Sequence, residues 1–272
     1  MQETEQAVAE AARLLRQARS VVVFSGAGIS AESGIPTFRD SGGWWERFPV
    51  EQFGTWTGLL ALARDRPREL AEYLVTRLRP VAEARPNPSH RAVRDMERFC
   101  RVTVVTQNID GLHTEAGSSR VVEIHGSLLR VVWVVDRTVK AHLSRQELKA
   151  IVDKLGELCQ TGRPSFRRLL LALQPIFGVG WRGLYRPDVV LFGDAMVEPE
   201  WTHALHAVRS CQVIVSVGTS GQVFPAAMLP MEAKRQGAAW IHVDPQEPAG
   251  DIWIKGRAGE ILPLLVNKAW PA

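Results

Sequence analysis

The stretch Phe24-Ser25-Gly26-Ala27-Gly28-Ile29-Ser30-Ala31-Glu32-Ser33-Gly34-Ile35-Pro36-Thr37-Phe38-Arg39-Asp40 directly follows the apolar run Val21-Val22-Val23. A β-branched run ending in Gly-x-Gly is how a buried parallel strand turns into a helix or loop that receives a pyrophosphate. The glycines let the backbone approach closely and aim N–H groups at the phosphates. Gly26-x-Gly28 alone is equally the mark of a tight strand-to-helix turn. The third glycine of the usual dinucleotide fingerprint is absent from its place, and Gly34 comes later. Pro36-Thr37-Phe38-Arg39-Asp40 favours the first reading, because it holds an aromatic ring and a cation on a Gly/Pro-punctuated loop beside the turn.

Working outward, strand-like runs fall at Val21–Phe24, Val102–Thr106, Val121–Ile124, Val189–Phe192, Val213–Val217 and Trp240–Val243. Amphipathic, helix-length stretches lie between several of them, at His90–Arg98, Glu198–Arg209 and Ala226–Gln236. Strands alternating with helices predict an α/β fold with a doubly wound, Rossmann-like parallel sheet. Ligands on such sheets bind beyond the carboxyl ends of the strands. Gly26, Gln107–Asp110, His125 and Gly218–Ser220 all sit there.

Two segments interrupt the alternation. Trp44–Arg85 reads as helical excursions broken by Pro49 and Pro67 and ended near Pro80 and Pro86. Val131–Arg186 holds one helix with Ser144 as N-cap and Glu147 completing a capping box, and a second helix over Ser165–Leu173. The expected organisation is a nucleotide-binding domain from 1–43, 87–130 and 187–272, a helical insertion over 44–86, and a small module over 131–186.

The 272 residues are 46% hydrophobic and 23% charged, ordinary for a soluble globular protein. Met1–Arg19 mixes Val8, Ala11, Ala12 and Leu15 with Glu3, Glu5, Glu10, Arg13 and Arg16, so it reads as an amphipathic surface helix and not a signal peptide. No apolar run approaches the ~20 residues a membrane span needs. These features predict a cytoplasmic protein with no membrane partner. The net charge of +4 is mild, and no Lys/Arg run of five occurs, so no nucleic-acid partner is expected either. Cys100, Cys159 and Cys211 form no Cys-x-x-Cys pair and no disulfide framework, and Cys100 and Cys211 read as small core residues.

The opening block resembles the sirtuins, the NAD-dependent protein deacylases. So do Thr106-Gln107-Asn108-Ile109-Asp110-Gly111-Leu112-His113, Glu123-Ile124-His125-Gly126, Pro187-Asp188-Val189-Val190-Leu191-Phe192-Gly193 and Gly218-Thr219-Ser220, in family order. The resemblance implies NAD as co-substrate and acyl-lysine proteins or peptides as partners. It makes His125 the general base, a role an imidazole suits because its ordinary pKa of ~6.5 lies near working pH. It gives Asn108 a ribose or a water to position, sets Asp110 against the nicotinamide amide, and lines that pocket with Ile109. Gly26, Ala27, Gly28, Phe38, Arg39, Gln107, Gly218, Thr219 and Ser220 complete the cofactor side. His242, Asp244 and Ala258 join them, His242 standing where the family carries the Asn of the adenosine-ribose site. His113 is ambiguous and reads more readily as structural.

On the substrate side the resemblance places Val189, Val190, Phe192 and Gly193, along which an extended peptide would add as a strand. Sirtuins that remove succinyl or malonyl groups share a Tyr-x-x-Arg pair and a small alanine. Here Ala31 is present, but Tyr73 and Arg77 are one residue further apart. On a helix that spacing still shares a face, so the pair serves either an acyl carboxylate or an ordinary helical surface. The family also binds a structural zinc on two Cys-x-x-Cys pairs. Trp133-Val134-Val135-Asp136 and Phe177-Gly178-Val179-Gly180 stand in their place, and His142, Asp153 and Cys159 lack any ligand spacing. The expectation is no zinc, with the module packed on apolar side chains.

Together these readings predict an NAD-dependent lysine deacylase releasing nicotinamide and an O-acyl-ADP-ribose. An NAD hydrolase or ADP-ribosyltransferase on the same scaffold, and a non-catalytic dinucleotide-binding protein, are the alternatives.

Overall fold

A computed structural model describes residues 2–37, 48–161 and 164–271. Among them the chain runs α1 (Gln2–Gln17), β1 (Ser20–Ser25), a 3-10 helix over Ala27–Ser33, α2 (Val50–Phe53), α3 (Trp56–Asp65), α4 (Pro67–Glu83), α5 (Pro88–Met96), β2 (Arg101–Thr106), α6 (Leu112–Glu115) and β3 (Val121–Glu123). It continues with β4 (Gly126–Trp133), β5 (Val139–His142), α7 (Arg145–Thr161), α8 (Phe166–Leu173), β6 (Gly178–Gly180), β7 (Gly183–Val189) and α9 (Glu200–Ser210). Next come β8 (Val213–Val217), a 3-10 turn over Ala226–Met228, α10 (Leu229–Arg235), β9 (Ala239–Val243), β10 (Ile252–Ile254) and α11 (Ala258–Ala269). Two compact units form: Met1–Thr37 with Arg85–His125 and Met196–Ala272, and Phe38–Ala84 with Gly126–Ala195.

The first unit is built on a parallel sheet of order β10-β9-β8-β1-β2-β3. Its strands are β-branched because both faces are covered. Val21 and Val23 point into one core with Val8, Leu15, Val93, Met96, Leu262 and Leu265, from α1, α5 and α11. Val22 and Phe24 point into the other with Ala204, Val208, Leu229 and Ala233, from α9 and α10. Adjacent residues of one strand thus feed opposite layers, as the period of two requires. Strand order reverses at β1, which pairs with β2 on one side and β8 on the other. A reversal of this kind opens a crevice at the carboxyl ends of the strands.

In the second unit the sheet β5-β4-β7-β6 is antiparallel and packs with α2, α3, α4, α7 and α8. Phe53, Leu70, Tyr73, Trp133, Leu155, Leu169 and Tyr185 share one core. The segments 44–86 and 131–186, read from sequence as two insertions, therefore contribute to a single body. Its edges fall at 84/85, 125/126 and 195/196, against the expected 86, 130 and 186.

Local signals translate directly. Ser144 Oγ accepts from Glu147 N (3.2 Å), and Glu147 Oε2 accepts from Ser144 N (2.7 Å), which closes the capping box at the start of α7. Ser165 caps α8, accepting from Arg168 N. Two expectations are corrected. The helix of the first insertion does not stop at Pro80 but runs through it to Glu83, where Ala84 N donates to Pro80 O at 3.0 Å. Pro80 withholds one hydrogen bond, and burial of Leu78, Val81 and Ala82 on either side holds the turn. Val189–Phe192 is not a strand of the parallel sheet. β7 ends at Val189 in the antiparallel sheet, and the next residues turn, with Leu191 N donating to Asp194 Oδ2 (3.2 Å) and Asp194 N to Leu191 O (3.0 Å).

Candidate active site

The carboxyl ends of β1, β8 and β9 are laced together by their loops. Gly26 N donates to Val217 O (3.1 Å), Gly28 N to Gly218 O (2.9 Å) and Gly218 N to Val243 O (3.1 Å). A Cβ on Gly28 would stand 2.6 Å from Gly218 Cα, and Gly218 itself has φ +58°, so both positions demand glycine. The turn at the end of β1 leads into a 3-10 helix, closed by Gly34 at φ 84°. The N–H groups of Gly26 and Gly28 are thus spent on the last residue of β8 and the first residue after it. This differs from the sequence reading, in which both aimed at phosphates.

The Gln107–Asp110 segment leaves the end of β2 and folds over this turn. Asn108 Nδ2 donates to Gly26 O (3.0 Å) and Ser30 Oγ (3.2 Å), and Ser30 Oγ donates to Asp110 Oδ2 (2.7 Å). Asp110 Oδ1 accepts from Leu112 N (2.9 Å). Gln107 Nε2 reaches Thr219 Oγ1 at 3.1 Å, which joins the loops after β2 and β8. Asn108, Asp110, Ser30, Gly26, Gln107 and Thr219 form one hydrogen-bonded group, with Gly28 and Gly218 tied into it. Ile109 and Ser220 lie half-buried on the same loops, and Ala27 and Ala31 on the 3-10 helix. Ala258 opens α11, where Gly259 N donates to Glu32 Oε2 of the 3-10 helix. Phe38 and Arg39 lie outside the described residues.

His125 follows β3, held by Ile124 N donating to Thr106 O (3.1 Å). Its Nδ1 lies 3.1 Å from Gln107 O. A carbonyl only accepts, so Nδ1 carries the proton and Nε2 is left as the basic nitrogen. Burial pushes its pKa below the ordinary histidine value, against the raising effect of the Gln107 carbonyl.

Sequence reasoning missed the polar floor of this region. Ser25 Oγ donates to Thr106 Oγ1 (2.8 Å) and meets His113 Nε2 at 3.0 Å, and Thr106 Oγ1 also accepts from Asn108 N (3.0 Å). His113 is buried and structural, its pKa held well below the usual range by desolvation and by neighbouring His90. Asn87 caps α5 and donates to Ile29 O (2.8 Å), pinning the 3-10 helix from behind. Its signal was present as Asn87-Pro88-Ser89, a helix start with Pro at N1.

His242 and Asp244 separate. His242 lies inside β9, buried, with Nδ1 2.7 Å from Ser216 Oγ, which in turn accepts from Trp240 Nε1. Asp244 is the first residue beyond the strand; its Oδ1 accepts from Gln246 N and Glu247 N, both at 2.9 Å.

Of the expected substrate residues Ala31 lies in the first unit, on the 3-10 helix, and the others belong to the second. Val189 is buried at the end of β7, where it pairs with Gly126. Val190 is half-buried, and Phe192 and Gly193 are exposed. Phe192 N donates to Gly54 O (2.9 Å). Tyr73 is buried in the core of that unit; its hydroxyl donates to Phe53 O (3.0 Å) and hydrogen-bonds Arg77. Burial pushes the Tyr73 pKa up and the Arg77 pKa down. The pair therefore converges across one turn of α4.

The positions at which the family would carry zinc ligands do not fit a metal. Trp133 packs edge-on against Tyr185 (5.6 Å between centroids) and Trp181 (5.8 Å). A Cβ on Gly180 would meet the Trp133 ring at 2.8 Å, and one on Gly178 the Tyr185 hydroxyl at 2.7 Å. Asp136 is spent on Thr138 N (3.0 Å) and Arg182 (2.5 Å). Among the described residues no cluster of three His, Cys, Asp or Glu side chains is placed to hold a metal.

Residues 26–225 match the model of the Sir2 family. An NAD-dependent protein deacylase of Desulfosudis oleivorans is 40% identical over 269 residues, covering 97% of this chain and 96% of that one. A solved structure bearing on the mechanism and regulation of Sir2 enzymes superposes with a TM-score of 0.74 at 33% identity, over 97% of this chain and 98% of the other. Sir2Af2 bound to a myristoylated histone peptide gives 0.70 at 30% identity, with 97% of each chain covered. The chain belongs to the Sir2 family.

Proposed function

We infer that this protein is an NAD-dependent protein lysine deacylase, releasing nicotinamide, an O-acyl-ADP-ribose and the free lysine. The observation that carries the reading is the His125–Gln107 contact, which leaves a neutral imidazole with Nε2 basic beside the Asn108–Asp110 group. The relative's name and the acylated peptide held by Sir2Af2 support an acyl-lysine protein as substrate.

When bound, NAD supplies the nicotinamide–ribose bond that breaks and the ribose carbon that the acyl oxygen attacks. His125 Nε2 takes the proton of a ribose hydroxyl. Asn108, oriented by Gly26 O and Ser30 Oγ, holds the ribose or a water. Asp110, fixed by Ser30 and Leu112 N, accepts from the nicotinamide amide. His242, within β9, and Asp244, just past its end, are the residues for the adenosine side of the cofactor, where a carboxylate suits a vicinal diol. Arg77, braced by Tyr73, is the cation for a succinyl or malonyl carboxylate. The second unit holds together without zinc, and the three unpaired cysteines suit a reducing cytoplasm.

The test is NAD turnover with and without an acetyl-lysine peptide, following nicotinamide and peptide mass together. Deacylation requires both products in equal amounts and only with peptide. Nicotinamide released at the same rate without peptide overturns the reading in favour of NAD hydrolysis.

A further inference from the structure

Two adjacent turns of the small antiparallel sheet carry a concentration of exposed apolar side chains. Trp181 is 86% exposed, Val179 79% and Val135 74%, and Val134, Val139 and Leu184 beside them are exposed as well. Val135 lies in the β4–β5 turn, Trp181 in the β6–β7 turn and Val179 on strand β6. The two turns are fastened to one another. Val134 N donates to Leu184 O (2.9 Å), and Arg182 reaches Thr138 Oγ1 (3.1 Å) and Asp136 (2.5 Å). Beneath them the Trp133 ring lies against Gly180 and the Tyr185 hydroxyl donates to Gln174 O (2.7 Å), so the tip sits on a stiff aromatic base.

Charge gathers in the same place. Gly126–His142 and Gly178–Val189 contain five arginines and lysines against two aspartates, and Asp194 just beyond them pairs with Arg186, which leaves an excess of +2. Both aspartates are already paired, Asp136 with Arg182 and Asp188 with Arg130 and Arg137. Lys140 stands exposed over the Tyr185 ring.

We propose that this tip is a peripheral docking site for an anionic lipid surface. A protruding tryptophan between valines suits the boundary between headgroups and acyl chains, and the exposed Lys140 beside it meets the negative headgroups. A nucleic-acid backbone would answer the charge alone, but valines offer bases nothing to stack on. The sequence expectation of no membrane partner rested on the lack of a spanning segment, which this mode of binding does not need. It is also independent of the catalytic reading, because the tip contains none of the residues assigned to NAD or to the acyl chain.

The test is flotation of the full chain, without NAD or peptide, with vesicles containing phosphatidylglycerol and with vesicles of phosphatidylcholine alone. Binding is expected to the first and not the second, and to weaken as salt is raised. The double variant Val179→Ser/Trp181→Ser should lose about tenfold or more in partitioning. Lys140→Gln, which leaves the apolar tip intact, should lose about fivefold. Deacylation of a soluble peptide should be unchanged in both. Equal partitioning onto the two vesicle types overturns the proposal, as does unaltered binding by both variants. So does a dimer in sedimentation equilibrium that the double variant dissociates, which would make the tip a self-association face. Tip-dependent binding to a DNA duplex tighter than to phosphatidylglycerol vesicles overturns it as well.

Discussion

His125 Nδ1 lies 3.1 Å from the carbonyl oxygen of Gln107, the residue that opens the Gln-Asn-Ile-Asp segment. One contact thus couples the candidate base to the loop that carries Asn108 and Asp110. It selects the tautomer, and it makes the position of the ring depend on the path of that loop.

Replacing His125 by Ala should cut deacylation by ~10²–10⁴-fold, the usual cost of losing a general base. ADP-ribose binding, followed by calorimetry, should remain measurable, because the Asn108–Ser30–Asp110 hydrogen bonds do not involve the ring. Turnover within about threefold of the parent removes His125 from that role.

Acid should destabilise the fold. His113 and His125 both have pKa values pushed below the ordinary one, first of all by burial. In the unfolded chain each takes up a proton near pH ~6.5, a proton the folded chain resists. The stability they contribute is therefore complete above that pH and declines below it, approaching ~1.4 kcal/mol per pH unit for each group. Urea unfolding at several pH values between neutral and mildly acidic should show the decline, and His113→Gln should flatten it. A flat profile in the parent counts against this origin.

The small sheet should not need metal. Chelators should leave the melting temperature where it is, whereas Trp133→Ala should cost about 3–5 kcal/mol by emptying the space over Gly180 and beside Tyr185. Elemental analysis showing close to one zinc per chain would refute the reading.

Arg77→Met should depress desuccinylation far more than deacetylation. A buried carboxylate needs a paired cation, and an acetyl group does not. The ratio of kcat/KM for the two peptides is the measure, since damage to the fold cancels in it. An unchanged ratio leaves Arg77 bracing Tyr73 within α4 and nothing more.

Much of the parallel sheet was legible in the chain. β1, β2, β8 and β9 are runs of valine and isoleucine bounded by turn residues, and each run came within a residue or two of its strand. Local chemistry also spoke clearly at Ser144 and Glu147, whose reciprocal hydrogen bonds involve only four consecutive residues. Asn108 and Asp110 were legible as a polar group after a strand. Ser30, which bridges them, was not singled out, because its role depends on residues ~80 positions away meeting the first turn.

The failures share a cause. Val189–Phe192 carries the same local signal as the parallel strands, yet β7 ends at Val189. Pairing with β4, 61 positions away at Ser127↔Asp188 and 63 at Gly126↔Val189, and the Asp194 latch set its place. β5 and β6 are too short and too mixed to show alternation, and they exist because β4 and β7 offer them partners. Pro80 reads locally as a stop, and burial on both sides carries the helix past it.

Order along the chain was enough for the family motifs, the αβ alternation and the side of the sheet on which the site lies, since these follow from local pattern and from the direction of parallel strands. Long-range contact alone joined two separate insertions into one core, packed Trp133 against Tyr185, and made Nε2 the basic nitrogen of His125. Each of these turns on a distance between residues remote in sequence, and such distances exist only once burial has brought the segments together.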